Sequence, residues 1–241
     1  MNSLNESHAQ KPPWLRRLCL PAYQVKDAAK YAKISAQTIL NWQKTRGENA
    51  APISNREDGH LLSYLQLIEV AIVAAMREAG VSLNTIRDAR EFMGQRLKSE
   101  FPFAQHGFKT DGKNILMNLS DFDKGESRDK LIIVSKGGQL GWKPILEDKL
   151  KEFEYHKNSG VAIKWHVRGA SSSIVIDPQI SFGAPTVMGV PTWTIKGRVD
   201  AGESIDDIAD DFSIKKSDVK SALEFEGIDT TKMNNTVEWS H

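Results

Sequence analysis

The stretch that decides the fold runs from Tyr23 to Arg46, YQVKDAAKYAKISAQTILNWQKTR. Val25, Ala28, Ala29 and Ala32 recur at the i, i+3, i+4, i+7 spacing of one helical stripe, which predicts a short amphipathic helix. Ile34, Ile39 and Trp42 are placed to close over that stripe, and Ser35 stands where an N-cap would open a second helix. The small alanines let the two helices approach closely, leaving the polar residues of the second pointing outward. Two short helices joined by a tight turn, the second bearing amide, hydroxyl and cationic groups, have the shape that enters a DNA major groove. Gln37, Thr38 and Asn41 are the candidates for base edges, because Gln and Asn can bind adenine bidentately. Lys26, Lys33, Lys44 and Arg46 are the candidates for phosphate contacts, which position a protein without reading sequence. Ser35 and Trp42 complete the candidate DNA-binding set. The competing reading is a plain helical hairpin with a solvated polar face.

Working outward, a chain of 241 residues is long enough for two domains with real cores. No apolar run approaches the roughly 18 residues needed to span a bilayer. The opening MNSLNESHAQKPP lacks the apolar region of a secretory signal. It reads as a flexible arm over residues 1–20, and a cytoplasmic location is the expectation. A single cysteine, Cys19, excludes an intramolecular disulfide and a cysteine-rich zinc site. The near-neutral total hides an asymmetry: residues 1–56 hold nine basic and three acidic residues, whereas 170–241 hold six basic and twelve acidic. The cationic end suits phosphate neutralisation, and the acidic end suits a basic protein partner, or simply keeps the protein soluble.

Beyond the first helix pair, Gly47 to Gly59 is a polar connection that would form a short wing or loop. Leu61 to Ala79 predicts a long helix apolar on nearly every face, either deeply buried or shared with another chain. Gly80 is placed to end it and Ser82 to cap the next, whose Leu83, Ile86, Ala89, Arg90, Phe92 and Met93 form an amphipathic pattern. Self-association through these two helices is the expectation, with a monomeric core as the alternative. From Phe101 to residue 169 the periodicity changes to a small mixed β module. Strands are expected at Ile115–Leu119, Leu131–Ser135 and Gln139–Trp142, with a hairpin turn at Lys136-Gly137-Gly138. A helix from Pro144 to about Phe153 and an alternating strand over Val161–Val167 complete it.

Gly169 to Ser173 is a small, flexible boundary. Past it come a strand at Ile174–Ile176, an irregular Pro- and Gly-punctuated path with a second strand at Thr186–Met188, and three helices near Thr194–Asp200, Ser204–Asp211 and Ser217–Glu224. Ser204 and Ser217 are the expected N-caps. Asp206 and Asp207 complement the dipole of the middle helix. Ile205, Ile208, Ala209 and Phe212 face the core, with Val219, Ala222, Leu223 and Phe225. This is a second helix-turn-helix shape. The expected class is α+β, predominantly helical, divided into 1–20 (arm), 21–100 (helix-turn-helix and dimerisation helices), 101–169 (β module) and 170–241 (C-terminal strand plus three helices).

YQVKDAAKYAKISAQTILNW resembles the opening of MerR-type winged helices, and GVSLNTIRDA (residues 80 to 89) resembles the MerR segment before the coupling helix. The arginine-tyrosine pair of the MerR wing is absent. IVIDPQISFGAPTVMGVPTW, AGESIDDIADDF and KSDVKSALEFE closely resemble the small helical domain of VapB-like antitoxins. Their order, with SYLQLIEVAIVAAMREAGVSL and FPFAQHGFKTDG, resembles larger VapB-type antitoxins over residues 20 to 226. The resemblance implies an antitoxin of a type II toxin–antitoxin pair that neutralises a PIN-like ribonuclease toxin and represses its own operon. Asp206, Asp207, Asp210 and Asp211 are then candidates for covering a basic RNA-binding cleft. A stand-alone MerR-like regulator without a toxin is the first alternative; a nucleic-acid enzyme is the second.

Chemistry is hard to find in this chain. The histidines at 8, 60, 106, 156, 166 and 241 make no close pair at ligand spacing. KGGQLG at 136–141 has glycines but no GK[ST], so it is no phosphate-binding loop. The four aspartates of 206–211 lack the glycine turn of a calcium loop. Cys19 beside Arg16 and Arg17 has no general base. No catalytic constellation, metal site or cofactor is expected.

Overall fold

The computed structural model describes residues 13–44, 51–54, 61–106, 108, 133–134, 140–141 and 144–231. It is α+β and predominantly helical, as the periodicities predict. Two compact units divide between Ile163 and Lys164.

In the first unit, α1 (Pro13–Arg17) precedes β1 (Pro21–Tyr23), α2 (Val25–Ala32) and α3 (Ala36–Trp42). The expected arm is therefore structured from Pro13 on, because Leu18 is buried and its carbonyl accepts from the amide of Leu65 at 3.2 Å. β1 pairs antiparallel with β2 (Leu62–Ser63), which leads directly into α4 (Tyr64–Glu78). Ser63 caps α4 reciprocally with Gln66: each side chain bonds the other's backbone amide. Nearly every face of α4 is enclosed by its own unit, with Leu67, Ile68, Val70, Ile72, Val73 and Met76 completely buried. The sequence left open whether its apolar surface meets another chain; intrachain packing already accounts for it. Gly80 takes φ 88° after α4, and Ser82 caps α5 (Leu83–Leu97) through the amide of Thr85. Along α5, Ile86, Ala89 and Met93 are buried, whereas Phe92 is 45 % exposed and lies off the buried stripe assigned to it.

Ile133–Val134 and Leu140–Gly141 form the short antiparallel pair β3–β4. The strand expected at Ile115–Leu119, the turn at Lys136–Gly138 and the arm before Pro13 lie outside the described residues. α6 (Pro144–Lys151) follows, then β5 (Phe153–Tyr155). His156 donates its amide to Val161 at 2.8 Å as the chain reverses into β6 (Ala162–His166), which crosses the division.

The second unit stacks β6, β7 (Ile174–Ile176), β8 (Pro185–Val187) and β9 (Val190–Pro191) in antiparallel order. α7 (Thr192–Asp200), α8 (Ile205–Phe212) and α9 (Lys216–Phe225) follow. Trp165, Ile176, Val187, Ile195, Ile208, Val219 and Leu223 form its core, each 0 % exposed. α8 is capped by Ser204 as expected, but α9 begins one residue before Ser217, with Lys215 at its N-cap and no side-chain cap bond. β8 also ends at Val187 rather than Met188, because Met188 and Gly189 both take positive φ, as a two-residue hairpin turn requires. Ser181 and Phe182 are left-handed as well, at φ 46° and 56°. For residues with a Cβ that conformation costs about 1–2 kcal/mol each.

Candidate nucleic-acid interface

The candidate surface is the α2–α3 pair. α2 packs against α3, with Ala28 and Ala29 buried on the one and Ile39 and Trp42 on the other. The turn between them is made by Lys33 in the left-handed conformation (φ 55°, ψ 40°), and the amide of Ile34 bonds the carbonyl of Ala29 at 3.0 Å. Ser35 opens α3: its hydroxyl accepts from the amide of Thr38 at 3.0 Å and lies 2.8 Å from the Thr38 hydroxyl. Both hydroxyls are thus engaged in holding the start of the helix.

Lys26, Lys33, Gln37, Asn41 and Lys44 are exposed. Gln37 Nε2 donates to Asn41 Oδ1 at 3.1 Å, one turn along α3, so the two amides form a joined pair rather than two independent readers. Trp42 is the exception among the candidates. It is only 5 % exposed and belongs to the core under α3, since the residue one step from Asn41 points about 100° away on a helix. Arg46 lies outside the described residues, as do 47–50 and 55–59 of the proposed wing.

The described middle of that connection, Ala51–Ser54, is buried and not a solvated loop. What holds it is a polar cluster that the sequence does not reveal. Ser54 donates its amide (2.8 Å) and hydroxyl (2.5 Å) to Oε2 of Glu69, which is 0 % exposed in the middle of α4. Arg90 of α5 donates to the Ser54 hydroxyl at 2.7 Å and to the Glu100 carbonyl at 2.8 Å, with its Nε 3.5 Å from Glu69 Oε1. Gln43, which ends α3, donates to the Ser54 carbonyl at 3.4 Å. Burial pushes the Glu69 carboxyl above the usual range, against the opposing pull of Arg90 and Ser54. The end of α3 is thereby tied to α4 and α5 through buried charge.

Residues 174–225 match the family described as "Protein of unknown function (DUF433)". The chain is 23% identical over 229 residues to a protein of Mycobacterium tuberculosis (strain ATCC 25618 / H37Rv) named "Putative antitoxin VapB45", covering 86% of this chain and 95% of the relative. The crystal structure of Rv2018 from Mycobacterium tuberculosis superposes with a TM-score of 0.73 at 22% identity, over 86% of this chain and 99% of that one. That likeness shows the fold.

The second unit repeats the turn of the α2–α3 device. Each residue has its counterpart 180 positions later: Val25 and Ile205, Ala29 and Ala209, Lys33 and Ser213, Ile39 and Val219. Ser213 is left-handed at φ 54°, ψ 42°, the Ile214 amide bonds the Ala209 carbonyl at 3.0 Å, and the residues before the second helices share ψ 147°. The sequence showed a second helix-turn-helix shape, and the turn geometry adds that both turns are built alike. Their surfaces differ in sign. Asp206 and Asp210 occupy the positions of Lys26 and Lys30, and Ser217 and Ser221 those of Gln37 and Asn41.

The four aspartates are all exposed, yet three are engaged within the unit. Asp206 pairs with Lys216 at 2.8 Å, Asp207 accepts from the Ser204 hydroxyl at 2.6 Å, and Asp211 pairs with Arg198 at 2.6 Å. Arg198 also clamps Glu203 through two nitrogens and lies over the ring of Phe212 at 5.1 Å. The clamp holds the Glu203 carboxyl below its ordinary value of 4.5. A depressed carboxyl contributes stability above its unfolded value and loses it as pH falls. The Tm advantage of wild type over Arg198→Gln is therefore expected to shrink as pH drops below about 4.5; a gap constant from pH 7 to 3 would count against the clamp.

His156 Nδ1 lies 3.0 Å from the Ser159 hydroxyl with its ring 4.6 Å from Trp14, and His166 Nδ1 lies 3.2 Å from the Ser172 carbonyl. Among the described residues no three His, Cys, Asp or Glu side chains converge on a common point, and no helix is long and apolar enough to cross a membrane.

Proposed function

We propose that this chain is a DNA-binding antitoxin that represses its own operon and neutralises a PIN-like ribonuclease toxin, acting as a cytoplasmic homodimer. The observation that carries the DNA-binding half is the exposure of Gln37, Asn41, Lys26, Lys33 and Lys44 on the α2–α3 unit, whose Ala28 and Ala29 are buried. That arrangement supports a MerR-like head with α3 in the major groove and the lysines on the flanking phosphates. The likeness along 86% of the chain to a protein named as an antitoxin supports the toxin-binding half.

Duplex from upstream of the gene, titrated with the purified full chain at low ionic strength, tests the first half; no complex ends it. Lys44→Ala is expected to flatten the log–log salt slope of binding by about 0.9, the value of one lost phosphate contact. An unchanged slope would remove Lys44 from the interface. Co-purification with the product of the adjacent reading frame tests the second half, and no complex at micromolar concentration ends it.

A further inference from the structure

Among the described residues the second unit exposes three large apolar side chains at one end of its sheet. Ile176 lies opposite Pro185, so residues 177–184 turn at that end, carrying Ile180 (40 % exposed) and Phe182 (97 % exposed). Pro191 lies opposite Thr186, so the chain leaves β9 toward the same end and enters α7 with Trp193, 63 % exposed. Phe182 is placed there at a double cost. It gains nothing from burial, and its φ of 56° and ψ of 25° fall where a residue with a Cβ is disfavoured and glycine is not. Neither core packing nor backbone ease selects phenylalanine at this position. Aromatic side chains standing clear of a small domain are the usual anchors of a protein interface.

The charge of the unit says what covers them. Residues 164–231 hold eleven carboxylates against seven Lys and Arg. Four of those seven cations are taken up internally: Lys164 by Asp177, Lys196 by Asp200, Arg198 by Glu203 and Asp211, and Lys216 by Asp206. What remains outward is negative, which repels a phosphate backbone and attracts a basic protein surface. The unit's helix-turn-helix has the same bias, with Asp206 and Asp210 where the first unit has Lys26 and Lys30.

We propose that this sheet end is a docking surface for a cationic protein surface bearing an apolar cleft, into which Phe182 and Trp193 insert. The proposal rests on the antitoxin reading for the partner's identity, and it moves the principal contact from the acidic helix α8 to the β7–β8 turn. The second unit is then a protein-binding copy of a helix-turn-helix whose first helix has acidic residues where the first unit has Lys26 and Lys30.

The test uses the full chain and the purified product of the adjacent reading frame, with affinity measured by calorimetry at two salt concentrations. Phe182→Gly is expected to melt at or above the wild-type temperature, because glycine relieves the left-handed strain, yet to bind about 30-fold or more weakly, the scale of an interface anchor. Trp193→Ala is expected to weaken binding likewise, and wild-type affinity is expected to fall as salt rises. Wild-type binding with Phe182→Gly equally tight overturns the docking surface and leaves the antitoxin reading standing. No wild-type binding defeats that reading and the docking surface with it. Affinity independent of salt rejects the cationic occupant. A wild-type dimer that Phe182→Gly dissociates in sedimentation, or a labelled single-stranded RNA whose binding requires Phe182, would assign the patch to another occupant and overturn the proposal.

Discussion

Replacing Glu69 by alanine is expected to destabilise the protein by about 3–5 kcal/mol, the cost of removing one partner from a buried ion pair. The side chain is 0 % exposed and accepts two bonds from Ser54, while Arg90 reaches both of them from α5. Its loss would leave the Ser54 amide without its acceptor and Arg90 without its counter-charge, while the Ser54 hydroxyl keeps the Glu100 carbonyl at 3.1 Å. Glu69→Gln keeps an acceptor for Ser54 and should cost less, even though it too leaves Arg90 without its counter-charge. Urea denaturation read by far-UV circular dichroism gives both values; an alanine variant within about 1 kcal/mol of wild type would mean water enters the site. Because Gln43 binds the Ser54 carbonyl, the same variant is expected to loosen the end of α3, lowering DNA affinity under conditions where the protein remains folded.

Asn41→Ala is expected to weaken binding to the operator by about 1–3 kcal/mol, as befits a lost bidentate base contact, while leaving random duplex almost untouched. Gln37 Nε2 already donates to Asn41 Oδ1, which still has a second lone pair to accept from a base while Nδ2 donates. The pair should therefore behave as one unit. Gln37→Ala alone should cost part of the effect, and the double variant should cost less than the sum of the singles. Competitive titration against operator and scrambled duplex at one fixed salt concentration separates the terms. Equal losses on both duplexes would take Asn41 out of base recognition.

The helix pair at the N-terminus was legible because its instructions are local. Alanines at helical spacing, a capping serine and a polar second helix require no knowledge of distant residues. The same holds for Ser82 and Ser204, for the α4 helix ended at Gly80, and for the alternating strand around Trp165. Ser217 misled because a serine in the right neighbourhood is not the residue at the turn: Lys215 holds the extended N-cap geometry, and α9 begins at Lys216. Trp42 was given two roles by the sequence, closing over the alanine stripe and joining the DNA-binding set; its burial bears out the first and argues against the second. The aspartates of α8 illustrate a further limit. Their charge is visible in sequence, but their neutralisation by Lys216 and Arg198 depends on which cations the fold brings alongside.

Sequence by itself determined the class, the caps at Ser35, Ser82 and Ser204 and the two helix-turn-helix shapes, since each follows from spacing within about one dozen residues, but not the short strands β1, β2, β5 and β9. Tertiary structure alone decided where the charges and exposed rings end up. A lone carboxylate in the apolar run of α4 becomes a buried anchor only because Ser54 and Arg90 converge on it from 15 residues before and 21 after. Phe182 stands outside the core because a left-handed turn carries it past the end of the sheet, a position that hydrophobicity would have assigned to the interior. Local preferences are encoded residue by residue, whereas burial and pairing are properties of the packed chain.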